Sequence, residues 1–142
     1  MSSALSLSPV SVAVYTALNV SAVTSLAPGG VFDDVPEGVT FPCVLFSVTE
    51  TRQLGGFGTK PGVGNLPEVR VRVYVYTQGI GFKTAQAVMD QALLALADPP
   101  AVTGFGSWAI FHDSTTPLTD QILAGQKVQE LVSDFRLYVE KI

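Results

Sequence analysis

One cysteine, one histidine and a charged fraction of 14% leave this 142-residue chain little material for redox, metal or acid–base chemistry. A lone Cys43 closes no intramolecular disulfide. Set in the apolar run PCVLF, it reads as a buried, inert thiol in a reducing compartment. A single His112, with no Cys or Ser in a nucleophile motif, reads as a surface or edge histidine at the end of a strand. Basic residues are few and late: all eight Lys and Arg lie at or after Arg52, against twelve Asp and Glu. With a net charge of −4 and a pI near 4.7, the chain is a poor general binder of nucleic acid, which needs clustered cations to neutralise phosphates. A secretory signal requires a positive first segment, and here no Lys or Arg precedes Arg52. No run of about 18 apolar residues exists to span a bilayer. The expectation is a soluble, cytoplasmic N-terminus and no membrane partner.

What is present suffices for a core. The apolar fraction of 47% excludes a disordered chain. A chain of this length buries about 70% of its unfolded surface, so folding needs neither disulfide nor metal. With no repeat and no break in composition, residues 1–142 are expected to form one domain.

Ser8-Pro9 predicts a helix start, with Ser as cap and Pro in the first position; Val10, Ala13, Val14, Ala17 and Leu18 follow at helical spacing. Asn19 interrupts it, and Val20 to Leu26 predicts a short second helix stopped by PGG. Val31-Phe32 predicts a brief strand, and DDVPEG a turn. Cys43 to Glu50 and Glu68 to Thr77 predict strands. In the second, Val69, Val71, Val73 and Val75 point one way, and Arg70, Arg72, Tyr74 and Tyr76 the other, the habit of an antiparallel strand with one face on the core. Phe82 to Ala97 predicts a helix with Ala85, Val88, Met89, Ala92, Leu93 and Leu96 on one face. Ser107 to His112 and Lys127 to Lys141 predict the last strands. Two loops are expected, Thr51 to Pro67, with five glycines and two prolines, and Ser114 to Gln126. The order predicts an α+β fold, with helices on one face of a mostly antiparallel sheet.

No catalytic constellation survives inspection. GIGFKTA has the outline of a dinucleotide fingerprint, but Thr84 stands at the third glycine position and the preceding strand alternates with arginines, so it reads as a turn. GGFGTKPGVG lacks the Gly-Lys-Ser/Thr ending of a phosphate loop. Asp33, Asp34 and Glu37 are too few and too poorly supported to hold a cation; Asp and Pro belong in a turn for local reasons. No cofactor is expected. The Gly-rich segment remains: loops of that length are functional or disordered, and Leu54 and Phe57 are its apolar candidates for a partner.

The series VFDDVPEGVTFPCVLFSVTET, a Gly-rich gap, EVRVRVYVYTQGIGFKTAQAVMDQALLAL and a closing DFRLYVE resembles the tail-terminator, or tail-completion, proteins of long-tailed bacteriophages and related gene-transfer particles. The similarity covers nearly the whole chain, the two predicted loops excepted. It implies a non-enzymatic virion protein, made in the host cytoplasm, that assembles as a homohexameric ring on the head-proximal end of the tail tube. The ring stops tube polymerisation and presents a surface to the neck. Its partners would be further copies, the tube protein and a neck or head-completion protein, with DNA passing through the lumen unbound. Arg52, Leu54, Phe57, Lys60, Asp33, Asp34, Arg70 and Arg72 are the candidate interface residues. The alternatives are another neck or minor tail protein, a monomeric small-ligand module walled by Tyr74 and Tyr76, and an enzyme built on Asp33 and Asp34.

Overall fold

The computed structural model describes residues 7–34, 38–54, 66–79, 81–123 and 125–141; the side chains of residues 7, 50–54, 66, 67, 107, 108, 120 and 141 lie outside the described set. Helix α1 spans Leu7–Leu18 and places Val10, Val14 and Leu18 fully inside the core at helical spacing. It is already formed at Leu7, so Ser8 sits inside the first turn and is not the cap. Pro9 is still tolerated there, because the first helical N–H groups have no partner to lose. Asn19 ends α1, and α2 follows over Ser21–Thr24.

Five strands form one sheet in the order β1-β2-β3-β5-β4. They are β1 (Val31–Phe32), β2 (Cys43–Leu54), β3 (Leu66–Thr77), β4 (Phe105–Leu123) and β5 (Gln126–Lys141). Only β1 is parallel to its neighbour, β2; the β2–β3, β3–β5 and β5–β4 pairs are antiparallel. Helix α3 (Lys83–Ala95) connects β3 to the segment leading into β4 and buries Ala85, Val88, Met89 and Ala92. The α+β expectation is met.

Side-chain parity builds the core. Val69, Val71, Val73 and Val75 are all fully buried, under the helices, beside Val44 and Phe46 of β2 and Leu131, Phe135, Leu137 and Val139 of β5. A second apolar cluster lies on the other sheet face, near the start of β2: Val39, Cys43, Tyr76 and Val128, flanked by Leu45, Tyr74 and Leu123.

Two predicted loops are corrected. β2 and β3 run to Leu54 and from Leu66, with Arg52 opposite Glu68 and Leu54 opposite Leu66, so Arg52 and Leu54 are strand residues. Continued pairing satisfies backbone groups that a loop would leave to water. Pro67 is accommodated because β5 begins to pair with β3 only at Glu68. Phe57 and Lys60 lie outside the described residues. The segment Ser114 to Gln126 is likewise mostly strand, the distal half of a long β4–β5 hairpin. Pro117 misleads in the sequence, but β4 is an edge strand, where a residue lacking N–H can face outward without breaking the ladder. The ladder runs to the Leu123–Gln126 pair, and Gly125 takes φ +77°, a conformation that suits glycine. His112 therefore sits in the middle of a strand rather than at its end.

The acidic turn before β2 has a structural counterpart in the glycines ahead of it. The amide of Gly29 donates to the Pro42 carbonyl at 3.0 Å, and Val44 donates to the Gly30 carbonyl at 2.9 Å. A Cβ on Gly29 would strike the Thr40 carbonyl. PGG thus lets the chain pass tight against the segment that leads into β2. Asp33 and Asp34 are bends just beyond β1, and Gly38 adopts φ +68°; Glu37 falls outside the described residues.

Candidate assembly surfaces

The helix-free face of the sheet carries most of the described charge. Strand alternation puts Arg70, Arg72 and Tyr74 of β3 beside Arg136, Asp134 and Val132 of β5. Arg72 Nε donates to Asp134 Oδ1 at 2.7 Å. Arg136 Nε donates to both Asp113 oxygens at 2.9 and 3.0 Å, and its Nη1 donates to the Tyr138 hydroxyl at 3.0 Å. The Tyr138 hydroxyl in turn donates to Glu68 Oε1 at 2.8 Å. One hydrogen-bonded path therefore crosses three strands, from Asp113 on β4 to Glu68 on β3. The half-exposed Phe111 ring lies 5.4 Å below the Arg136 guanidinium and meets Tyr138 edge-on at 5.8 Å.

Arg72 and Arg136 each have a carboxylate partner. Hydrogen bonding to Asp134 raises the Arg72 pKa, and hydrogen bonding to Asp113 raises that of Arg136. Burial, reinforced by the hydrogen bond to Glu68, raises that of Tyr138. Arg70 is half-buried and makes no ion pair among the described residues. Exposed pairs of this kind contribute little to stability, so their effect is on the surface itself: the charges of Arg72 and Arg136 are each matched by an anion.

Tyr74 and Tyr76 stack on one another at 6.1 Å and 9°. Tyr76 is buried in the second apolar cluster, and burial, with a hydrogen bond to Glu130, raises its pKa. These rings are packed against each other. Cys43 lies in the same cluster, where burial pushes its thiol up to about 11, so at neutral pH it stays protonated. His112 Nε2 lies 2.8 Å from the Thr115 hydroxyl, which bonds the buried Ser133 hydroxyl at 2.6 Å. That histidine completes a local polar chain on the helix side of β4. No group of three or more metal-ligating side chains occurs among the described residues.

Asp33 is on the opposite side of the sheet from Arg70 and Arg72. It borders an open groove of about 340 Å³ with Ser11, Val12, Tyr15, Val31, Phe32 and Phe46. The described members of the predicted interface set therefore do not form one patch. Arg70 and Arg72 share the open sheet face, Asp33 belongs to the β1 edge, and Arg52 and Leu54 pair along the β2–β3 ladder. The Arg136–Tyr138–Glu68 path was missed in the sequence, although the parity of Asp134, Arg136 and Tyr138 is readable there.

The chain matches the family model described as "Tail completion protein gp17" over residues 12–140. It belongs to that family, and it is therefore a structural virion protein of the tail and not an enzyme. No curated protein sequence matches it. Among solved structures, a chain from the virion of a native gene transfer agent (GTA) particle is similar with a TM-score of 0.74 and 20% sequence identity, covering 95% of this chain and 99% of that one. At that identity the likeness concerns the fold. No described helix is long and apolar enough to cross a membrane.

Proposed function

We propose that this chain is a tail terminator: copies of it form a ring, hexameric by analogy with the family it resembles, on the head-proximal end of the tail tube. The ring caps tube growth and offers its far surface to a neck or head-completion protein. The observation that carries this reading is the tail-completion match across residues 12–140. The surface chemistry supports it. DNA passing a ring must not be held by it, and arginines matched by Asp134 and Asp113 give phosphates no unbalanced cluster to replace counterions. We assign Arg52, Leu54, Phe57 and Lys60 at the β2–β3 end, Asp33 and Asp34 at the β1 edge, and Arg70 and Arg72 on the sheet face to contacts with neighbouring copies, tube or neck. Particles assembled without the chain should show tails of uncontrolled length and heads without tails in electron micrographs. Tails of normal length joined to heads would overturn the assignment.

A further inference from the structure

The two edges of the sheet differ in what they leave open. On one side β1 pairs only with Val44 and Leu45, so among the described residues the edge of β2 away from β3 has no strand neighbour from Phe46 to Leu54. Beside that open edge runs α1, with Val12 62% and Tyr15 41% exposed, over the groove that also reaches Phe46. No charged residue precedes Asp33 in the sequence, so α1 and α2 carry no charged side chain. On the other side β4 is the opposite edge, and it carries Phe111, Leu118 and Ile122, exposed by 49, 38 and 71%. Each copy thus has an open, apolar margin at both ends of one sheet, and the two margins differ.

We infer that β4 of one copy docks antiparallel along the β2–α1 margin of the next, joining subunits head to tail. The inference rests on the ring reading above and supplies its contact. Polarity favours it: β2 and β4 run in opposite directions in the sheet, because β2, β3, β5 and β4 alternate, so a sheet continued into the next copy brings β2 and β4 together antiparallel. Two different surfaces that meet give a heterologous contact, which closes into a ring or runs on as a filament, whereas one surface meeting itself gives a dimer. Self-pairing of β4 is discouraged by Pro117 and by ladder irregularities at Ser107/Ala109, His112/Ser114 and Leu118/Gln121, features that blunt an edge against indiscriminate partners. The regular stretches between them remain for backbone bonds, and Ile122, which shares the helix-side parity of β4, supplies apolar contact for Val12 and Tyr15. The charge-free α1 surface suits the centre of such an interface, where charged residues are depleted.

The test uses Val12→Asp and Ile122→Asp, both at exposed positions where folding should survive; equal thermal melting of variants and wild type checks that. Association is read by sedimentation velocity, for the protein alone and added to tails lacking it. Each variant alone should associate roughly tenfold or more weakly than wild type, since a charge then faces an apolar surface. Mixed in equal amounts, the variants should form dimers and stop there, because the Ile122 edge of the Val12→Asp copy still meets the intact α1 margin of the other. Oligomers of wild-type size in either single variant, or no dimer in the mixture, would overturn the edge contact while leaving the ring reading standing. Absence of any wild-type oligomer, alone and on tails, would remove the ring reading and this contact with it.

Discussion

Val73 and Arg72 are neighbours on one strand with opposite fates. Val73 is fully buried between the β2 and β5 ladders, whereas Arg72 is exposed and paired with Asp134. Val73→Asp should unfold the protein, because an unpaired buried charge costs several kcal/mol, comparable with the whole stability of a domain. Arg72→Ala should leave it folded, with a change of about 0–1 kcal/mol for the lost exposed pair. Circular dichroism melts of the two variants check this, and equal behaviour would mean the sheet faces are reversed. A second residue-scale outcome concerns alkaline pH. Cys43 keeps its proton in the fold to about 11, against an ordinary value of 9.0. Between those values the unfolded chain has lost the proton and the folded chain has not, so stability falls as pH rises. The loss traceable to this thiol is on the order of 2–3 kcal/mol at most. Tyr76, also raised by burial, adds in the same direction. Denaturant titrations should show a drop from pH 9.0 to about 11 that is shallower in Cys43→Ala. Identical slopes for wild type and variant would assign the loss to other groups.

At the scale of elements, the approach of the chain to β2 is fixed by Gly29 rather than by the acidic pair that follows. Its Cβ position is occupied by backbone of Thr40 and Pro42, which cannot swing aside as a side chain would. Gly29→Ala should therefore lower stability by roughly 1–3 kcal/mol, the usual range for overpacking. Asp33→Ala with Asp34→Ala should cost only about 1 kcal/mol per lost turn hydrogen bond. A double aspartate variant less stable than Gly29→Ala in the same melts would reverse that ranking. The contrast also shows which elements the sequence declares. Alternation of Val with Arg and Tyr declared β3 and both of its faces, and helical spacing declared α1 and α3, because burial of one face imposes a period. The distal half of β4 was hidden because its exposed residues obey no burial period, and Pro117, Asp120 and Gly125 looked like turn chemistry. An edge strand tolerates such residues, since half its backbone groups face water in any case. The Asp113–Arg136–Tyr138–Glu68 path was legible only in part. Parity within β5 can be read along the chain, but the partners on β3 and β4 depend on register, which the bulge at His112/Ser114 shifts.

At the scale of the whole molecule, the chain divides its duties between a closed core and open margins. The described core clusters draw on no residue of 55–65, and the β2–β3 ladder runs to the Leu54–Leu66 pair. The segment 55–65 can then be exchanged without touching any ladder bond of the described residues. Its replacement by a short Gly-Ser turn should leave the melting temperature nearly unchanged, because the entropy of closing a loop varies slowly with its length. Under the terminator reading the same variant should fail in assembly, since Phe57 and Lys60 are lost from the margin proposed to meet the tube or the next copy. Particles carrying it should show over-long tails or tails detached from heads in electron micrographs, against normal particles assembled with the wild-type chain. The two readouts separate fold from function. A lowered melting temperature would make the segment part of the structure. Normal, joined tails with an unchanged melting temperature would make it a passive hairpin connection, and would leave the contacts of the ring to β4 and the α1 margin alone.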